Sequence, residues 1–359
     1  MSDFAQHGPI VTLPCLNAAH TDKLQHETLP QLTQKTPVAL VLPCIAADAI
    51  QPPLNQILTE LQDVRWIQHI IIPINGLPHH EFDRVSRDLL KAHSYLPLTL
   101  LHTDSDFPEL HPGKGTNVLN ALGLLKKNAF KGAVAIHDAD NLAFQKENLA
   151  RLVHPIVDRA FGMEFAKQFY SRFDQQLHGR VSRLFLAPLL NTLSTTLPAE
   201  LTHFLAAFRY PLAGECALTM RLAEQIRFPS GWGLEIGLLV EAHRLLDPDA
   251  VCQVGSTHPH QHRHHSNPQH LLQQCRAILD TLASHPSTAT HLSPNGLHPL
   301  KPLFTQFQLR ALRASSLIAR ANGLRHDADT ELELCRLFAS TLEEPRQPLP
   351  LAGIRDHRA

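Results

Sequence analysis

The stretch GAVAIHDAD, residues 132–140, is an apolar run that stops abruptly at two carboxylates. It reads as a buried strand ending in D-x-D. Side chains alternate across a strand, so Asp138 and Asp140 point the same way, and two hard oxygens on one side suit Mg²⁺ or Mn²⁺ better than a soft metal. A solvated turn after a strand gives the same letters, so the pattern acquires meaning only from its neighbours.

Upstream, PVALVLPCIAA (37–47) reads as another buried strand running into a loop. PPLNQILTELQDV (52–64) then puts Leu54, Ile57, Leu58 and Leu61 at helical spacing, with proline at the start, where its missing N–H costs nothing. IQHIIIPI (67–74) is a second strand, 81–93 a helix, LPLTLLH (96–102) a third strand, and a helix over 116–127 leads back to the strand that ends at Asp138. This alternation predicts an α/β fold, a mostly parallel sheet with helices on both faces. In such open sheets the ligand crevice lies outside the carboxyl ends of the strands, where HDAD sits.

A chain of 359 residues, 43% apolar and 18% charged, can bury a large core in one or two domains. A net charge of −1, with no basic tract or zinc-finger spacing, argues against a nucleic-acid partner. The first residues lack a secretory pattern, and no apolar run is long enough to span a bilayer. Six scattered cysteines without C-x-x-C suit reduced thiols and a cytoplasmic location. Residues 1–36 read as a partly irregular leader, 266–343 as a C-terminal helical region with helices over 269–283, 303–324 and 330–342, and 344–359 as a tail.

Other features have chemical potential. Gly113, Lys114 and Gly115 form a GKG loop at a helix start, where phosphates are often held. The loop fails both the P-loop and the dinucleotide fingerprint, because Pro108, Gly115 and Val118 stand at required positions. It remains either a loop bringing one ammonium towards a diphosphate or a plain turn. GRVSRLFLAPLLNTL begins a long amphipathic helix at Gly179; Arg180 and Arg183, at i and i+3, form either an anion seat at its start or a solvated pair. PLAGE and GWGLEIG read as tight elements leading into helices headed by Glu215 and Glu235, which serve either a site or the helix caps. Among 25 histidines, the cluster over 258–265 reads as a surface loop, a chelator, or the source of one ligand for the D-x-D metal.

In order, GKGTNV, HDADN, GRVSRL, FRYPLAGE, GWGLEIGLL and VCQV followed by H-x-H resemble the glucosyl-3-phosphoglycerate synthases, retaining glycosyltransferases of family 81 with a GT-A (Rossmann-like) fold. The resemblance covers about Val38 to His265, so that 37–265 would be the transferase domain, and continues loosely into the C-terminal helices. It implies that Asp138, Asp140 and His262 hold the metal and the donor diphosphate. It places Pro43, Asn75, Gly113 and Lys114 at the donor, Leu212 and Gly214 in the wall of the sugar pocket, and Glu235 on the sugar hydroxyls. Lys114 and Glu235 are thereby the residues nearest the chemistry, and Gly179, Arg180 and Ser182 hold the acceptor, with serine replacing the family's threonine. Trp232 replaces a more usual tyrosine.

The implied reaction moves glucose from UDP- or GDP-glucose to 3-phosphoglycerate or a similar anionic acceptor, with Mg²⁺ or Mn²⁺, in a cytoplasmic homodimer. Two departures bear on the nucleotide. Ala46, Ala47 and Asp48 stand where many relatives have an acidic pair, and Asn75 stands where they tend to have aspartate. A sugar nucleotidyltransferase, which would release pyrophosphate, and a non-catalytic nucleotide-sugar binder are the competing readings.

Overall fold

The computed structural model describes residues 6, 8–104, 113–195, 199–229, 233–257, 267–285, 288–289, 292, 297–346 and 351–354. Nine strands form one sheet: β1 (Val11–Leu13), β2 (Val38–Val41), β3 (Cys44–Ile45), β4 (His69–Asn75), β5 (Leu98–His102), β6 (Ala133–Ile136), β7 (Phe165–Phe169), β8 (Cys216–Thr219) and β10 (Val251–Gly255). They lie in the order β1-β10-β7-β8-β6-β2-β4-β5, and β3 continues the line of β2 along the far end of β4. Every pairing in this sheet is parallel except those of β8, which runs antiparallel to β6 and β7.

The central strands β2 and β6 are wholly apolar because both faces are covered. Along β6, Val134 and Ile136 face one cluster while Ala133 and Ala135 face the other. The first cluster contains Val118 and Leu122 of the helix Lys114–Lys127, and it extends to Leu279, Phe304 and Phe338 of the C-terminal helices. The second is closed by Leu54 and Leu58, Leu89, and Leu149 and Leu152. Among the described residues no helix is long and apolar enough to cross a membrane.

Three expectations change. Part of the leader is built into the fold: Val11–Leu13 extends the sheet beside β10, and Leu24 and Leu29 are buried in the core. In the tail, β11 (Leu351–Ala352) pairs antiparallel with β9 (Phe228–Pro229). Glu215 does not head a helix, because PLAGE runs straight into β8. The sequence CALTMRLAEQI has helical spacing, but the gap between β6 and β7 supplies backbone partners on both sides and captures four of its residues as a strand.

The direction of β8 positions the site. A parallel strand brings its end to the ligand edge of the sheet, whereas an antiparallel one brings its beginning. Gly214 and Glu215 therefore arrive beside Asp138 at the end of β6 and Tyr170 at the end of β7.

Candidate active site

A cavity of about 570 Å³ opens at this edge. Pro43, Asn75, Gly113, Lys114, Asp138, Asp140, Gly179, Arg180, Ser182, Leu212, Gly214 and Glu235 all line it. Each of these was singled out in the sequence. His262 and Trp232 lie outside the described residues.

At the centre, the Lys114 ammonium donates to Asp138 Oδ1 and, at 2.7 Å, to Glu235 Oε1. Lys114 is the first residue of its helix and Glu235 lies in the first turn of the helix Leu234–Leu245. Three charges from three distant segments thus meet at helix starts and a strand end. Burial alone would pull the lysine pKa down, but Asp138 and Glu235 outweigh it and hold it well above the ordinary value. The ammonium stays charged through neutral pH.

Gly214 packs so tightly on this cluster that a Cβ there would overlap the Asp138 carboxylate. Asn75, its amide oriented to satisfy both ends, donates to the Cys44 carbonyl at 3.2 Å and accepts from the Gly113 N–H at 3.0 Å. Asn117 also donates to Cys44 O at 2.9 Å, so the start of β3 is tied both to the GKG loop and to the helix that follows it.

Cys44 registers the charge of two nearby carboxylates. Burial first, then the carboxylates of Asp48 and Asp140, push its thiol above the usual range. Asp48 lines the same cavity. The acidic side chain missing at Ala46 and Ala47 is therefore present one position later. Asp138, Asp140 and Asp48 line the same cavity, and carboxylate oxygens such as those of Asp138 and Asp140 are the donor type a hard divalent cation takes. Among the described residues no group of three or more histidine, cysteine, aspartate and glutamate side chains is arranged to hold a metal.

The pair Arg180 and Arg183 separates. Arg180 lines the cavity, where burial pulls its pKa down against the charge of Glu331. Arg183 turns away: its guanidinium pairs with both oxygens of Glu331, donates to Ser315 Oγ at 2.8 Å, and donates through Nε to His178 O at 3.0 Å. It anchors the helix start to the C-terminal helices and takes no part in an anion seat. Gly179 reaches this turn through a left-handed φ of 70°.

Sequence reasoning missed several wall residues. Tyr170, Arg172 and Tyr210 line the cavity, as do His270, Gln274 and Ile278 of the helix Pro268–Ser284, which lies beyond the recognisable motifs. Glu215 is fully buried and accepts from Tyr170 Oη at 2.6 Å. Behind it, Lys167 on β7 lies between Cys216 and Gln253 with its side chain buried, and that burial pulls its pKa down. In the sequence, Lys167 is the one charged residue of the strand FAKQF, beside Gln168; only its position beside the site gives it interest.

The mostly parallel sheet with one reversed strand, and a carboxylate pair at the end of β6 beside a lysine, have the architecture of the GT-A fold. No family model matches the chain. Among curated proteins it is 28% identical to the glucosyl-3-phosphoglycerate synthase of Persephonella marina, over 96% of this chain and 89% of that one. It is 29% identical to the protein of the same name from Methanococcoides burtonii, over 86% of this chain and 81% of that one. Among solved structures it is similar to glucosyl-3-phosphoglycerate synthase of Mycobacterium tuberculosis in complex with Mn²⁺, UDP-glucose and phosphoglyceric acid, with a TM-score of 0.57, 24% identity and 77% and 87% of the two chains covered. The same enzyme has been solved with UDP-glucose and glycerol 3-phosphate, at a TM-score of 0.58, 24% identity and the same coverage. The chain is thus similar to the glucosyl-3-phosphoglycerate synthases over most of its length, as its motifs indicate.

Proposed function

We propose that this protein is a metal-dependent retaining glucosyltransferase that moves glucose from a nucleoside diphosphate, UDP by preference, to 3-phosphoglycerate. The observation that carries this reading is the convergence of Asp138, Asp140, Lys114 and Glu235 with Arg180 and Ser182 in one cavity. A carboxylate pair and a lysine suit a diphosphate, and an arginine at a helix start suits a small anionic acceptor. The Mycobacterium tuberculosis relative has been crystallised with Mn²⁺, UDP-glucose and phosphoglyceric acid, and also with Mg²⁺ and UDP.

On this reading Asp138, Asp140 and His262 hold the cation. Bound there, it would neutralise negative charge developing on the leaving diphosphate. Lys114 adds a fixed positive charge without proton transfer, and the start of its helix adds backbone N–H groups. Pro43, Asn75 and Gly113 shape the nucleotide end. Leu212 and Gly214 close the wall around the hexose, and Glu235 takes a sugar hydroxyl while keeping Lys114 in place. Gly179, Arg180 and Ser182 seat the acceptor. Residues 37–265 form the transferase domain, and the helical region 266–343 supplies one wall of its cavity. The resemblance and the six free cysteines favour a cytoplasmic homodimer.

A panel of UDP- and GDP-sugars with 3-phosphoglycerate and Mg²⁺ or Mn²⁺ tests the proposal. Acceptor-dependent release of nucleoside diphosphate is expected, falling at least about 100-fold in Asp140→Ala. Pyrophosphate release from a nucleoside triphosphate and a sugar phosphate would indicate nucleotidyl transfer instead. Undiminished turnover in Asp140→Ala would remove the metal assignment.

A further inference from the structure

We infer that Arg172 is a second anion-recognising residue of the acceptor subsite, holding the acceptor's carboxylate while Arg180 and Ser182 hold its phosphate. The inference rests on the acceptor reading just given and deepens it from binding to selection.

Arg172 stands just beyond the end of β7 and lines the cavity together with Arg180, which arrives from a different element, the helix start after Gly179. Its placement is fixed. The Arg172 carbonyl accepts from the His178 N–H at 2.9 Å, and Nη1 donates to Tyr210 Oη at 3.1 Å. Tyr210 packs edge-on against Tyr170, with ring centroids 5.1 Å apart, and Tyr170 is bonded in turn to the buried Glu215. The guanidinium is held rigidly from one side.

Its other side carries unused capacity. Nε of Arg172 is buried, and no hydrogen bond reaches it among the described residues. A guanidinium has five N–H donors in a planar fork matched to a carboxylate. Because Nε has no exposed surface, a ligand in the cavity meets the outer N–H groups of the fork rather than Nε. Tyr170, Tyr210 and Glu215 surround the arginine and keep its pKa above the usual value against the cost of burial, so it is fully charged.

The chemistry of the acceptor asks for two cations. 3-Phosphoglycerate has one free hydroxyl, on the carbon between its carboxylate and its phosphomethyl group. Fixing that hydroxyl for attack on the sugar requires a hold on each side of it. Arg183 cannot be the second hold, since it is consumed by Glu331. The phosphate, with more charge and more oxygens, suits Arg180, the Ser182 hydroxyl and the helix start. The carboxylate remains for the fork of Arg172.

The test compares 3-phosphoglycerate with glycerol 3-phosphate, which lacks the carboxylate, and with glycerate, which lacks the phosphate. For Arg172→Gln, kcat/KM with 3-phosphoglycerate should fall about 30-fold, mainly through KM, while the inhibition constant of glycerol 3-phosphate changes less than about 3-fold. Arg180→Gln should weaken glycerol 3-phosphate strongly and leave the small affinity for glycerate nearly unchanged. Arg172→Lys, which keeps the charge but loses the fork, should recover part of the loss, a rescue that a merely structural role would not give. Equal losses for 3-phosphoglycerate and glycerol 3-phosphate in Arg172→Gln, or no loss for either, would overturn the assignment and leave the proposed reaction standing. A wild-type protein that turns over donor with another acceptor but not with 3-phosphoglycerate would overturn the acceptor reading itself.

Discussion

Gly214 shows how much a single position controls. It begins the run into β8, and a Cβ there would overlap the carboxylate of Asp138, which is itself bonded to Lys114. Gly214→Ala must displace either the backbone of β8, pinned on both sides, or the Asp138 side chain, and the side chain is the softer of the two. The expected result is a protein with nearly wild-type thermal stability and turnover reduced about 100-fold, because a shift of the order of 1 Å at a reacting group costs that much. Loss of folding, or full activity, would show that the close approach does not position Asp138. At this scale much was legible: Asp138 and Asp140 end an apolar run, Glu235 interrupts one, Lys114 stands between two glycines, and their motifs occur in a recognisable order. What was illegible is which of them touch, since Lys114 and Glu235 stand 121 residues apart. Asn75 also gains a reason that its sequence departure did not suggest: its amide donates to one backbone group and accepts from another, which a carboxylate cannot do.

Among the elements, the helix start after Gly179 depends on a contact outside the recognisable motifs. Arg183 is paired with Glu331, on the helix Ala328–Ser340, and with Ser315, on the helix Lys301–Ala321. Both partners are mostly buried, so removing one leaves the other with an uncompensated charge. Glu331→Gln is expected to cost about 2–3 kcal/mol in unfolding free energy. It should raise the KM for the acceptor, because Arg180 loses its anchored neighbour, and leave the KM for the donor nearly unchanged. Unfolding and steady-state kinetics on the same preparation check both; an unchanged acceptor KM would separate the anchor from the subsite. The spacing of GRVSRL correctly predicted a helix but could not assign its two arginines to different tasks, since both lie on the same side of one turn. The fate of Glu215 has the same origin: helical spacing in CALTMRLAEQI was real, and the sheet overrode it.

For the whole molecule, the C-terminal helices and the nine-stranded sheet share one core, and acid should reveal it. Glu241 is fully buried on the helix Leu234–Leu245, the helix whose first turn carries Glu235. It accepts from the His285 ring at 2.5 Å, from Arg244 at 2.7 and 2.9 Å, and from the Arg227 backbone and side chain at 2.9 and 3.0 Å. These bonds join the segment after β8, the active-site helix, and the end of the helix Pro268–Ser284, a closure between distant parts of the chain that no local pattern could display. Burial pushes the Glu241 carboxyl up, but the hydrogen bonds from His285, Arg244 and Arg227 outweigh it and hold the pKa far below the ordinary value. A carboxyl whose folded pKa is depressed contributes stability that is fully present above its unfolded pKa, about 4.3, and is lost as pH falls from there through the folded pKa. Glu331 and Glu344 are shifted in the same direction and add to the slope. The unfolding temperature should therefore be level in this carboxylate contribution from pH 7 to about 5 and fall steeply below about 4.5. Glu241→Gln should lower it at pH 7, because a neutral amide leaves Arg227 and Arg244 facing no charge, yet show a shallower fall in acid. Because Glu235 rides on the same helix, loss of donor affinity after acid exposure should follow the unfolding curve rather than precede it. Scanning calorimetry of both proteins between pH 3 and 7 decides the matter: an acid limb equally steep in Glu241→Gln would mean that this buried carboxylate does not tie the two halves of the fold together.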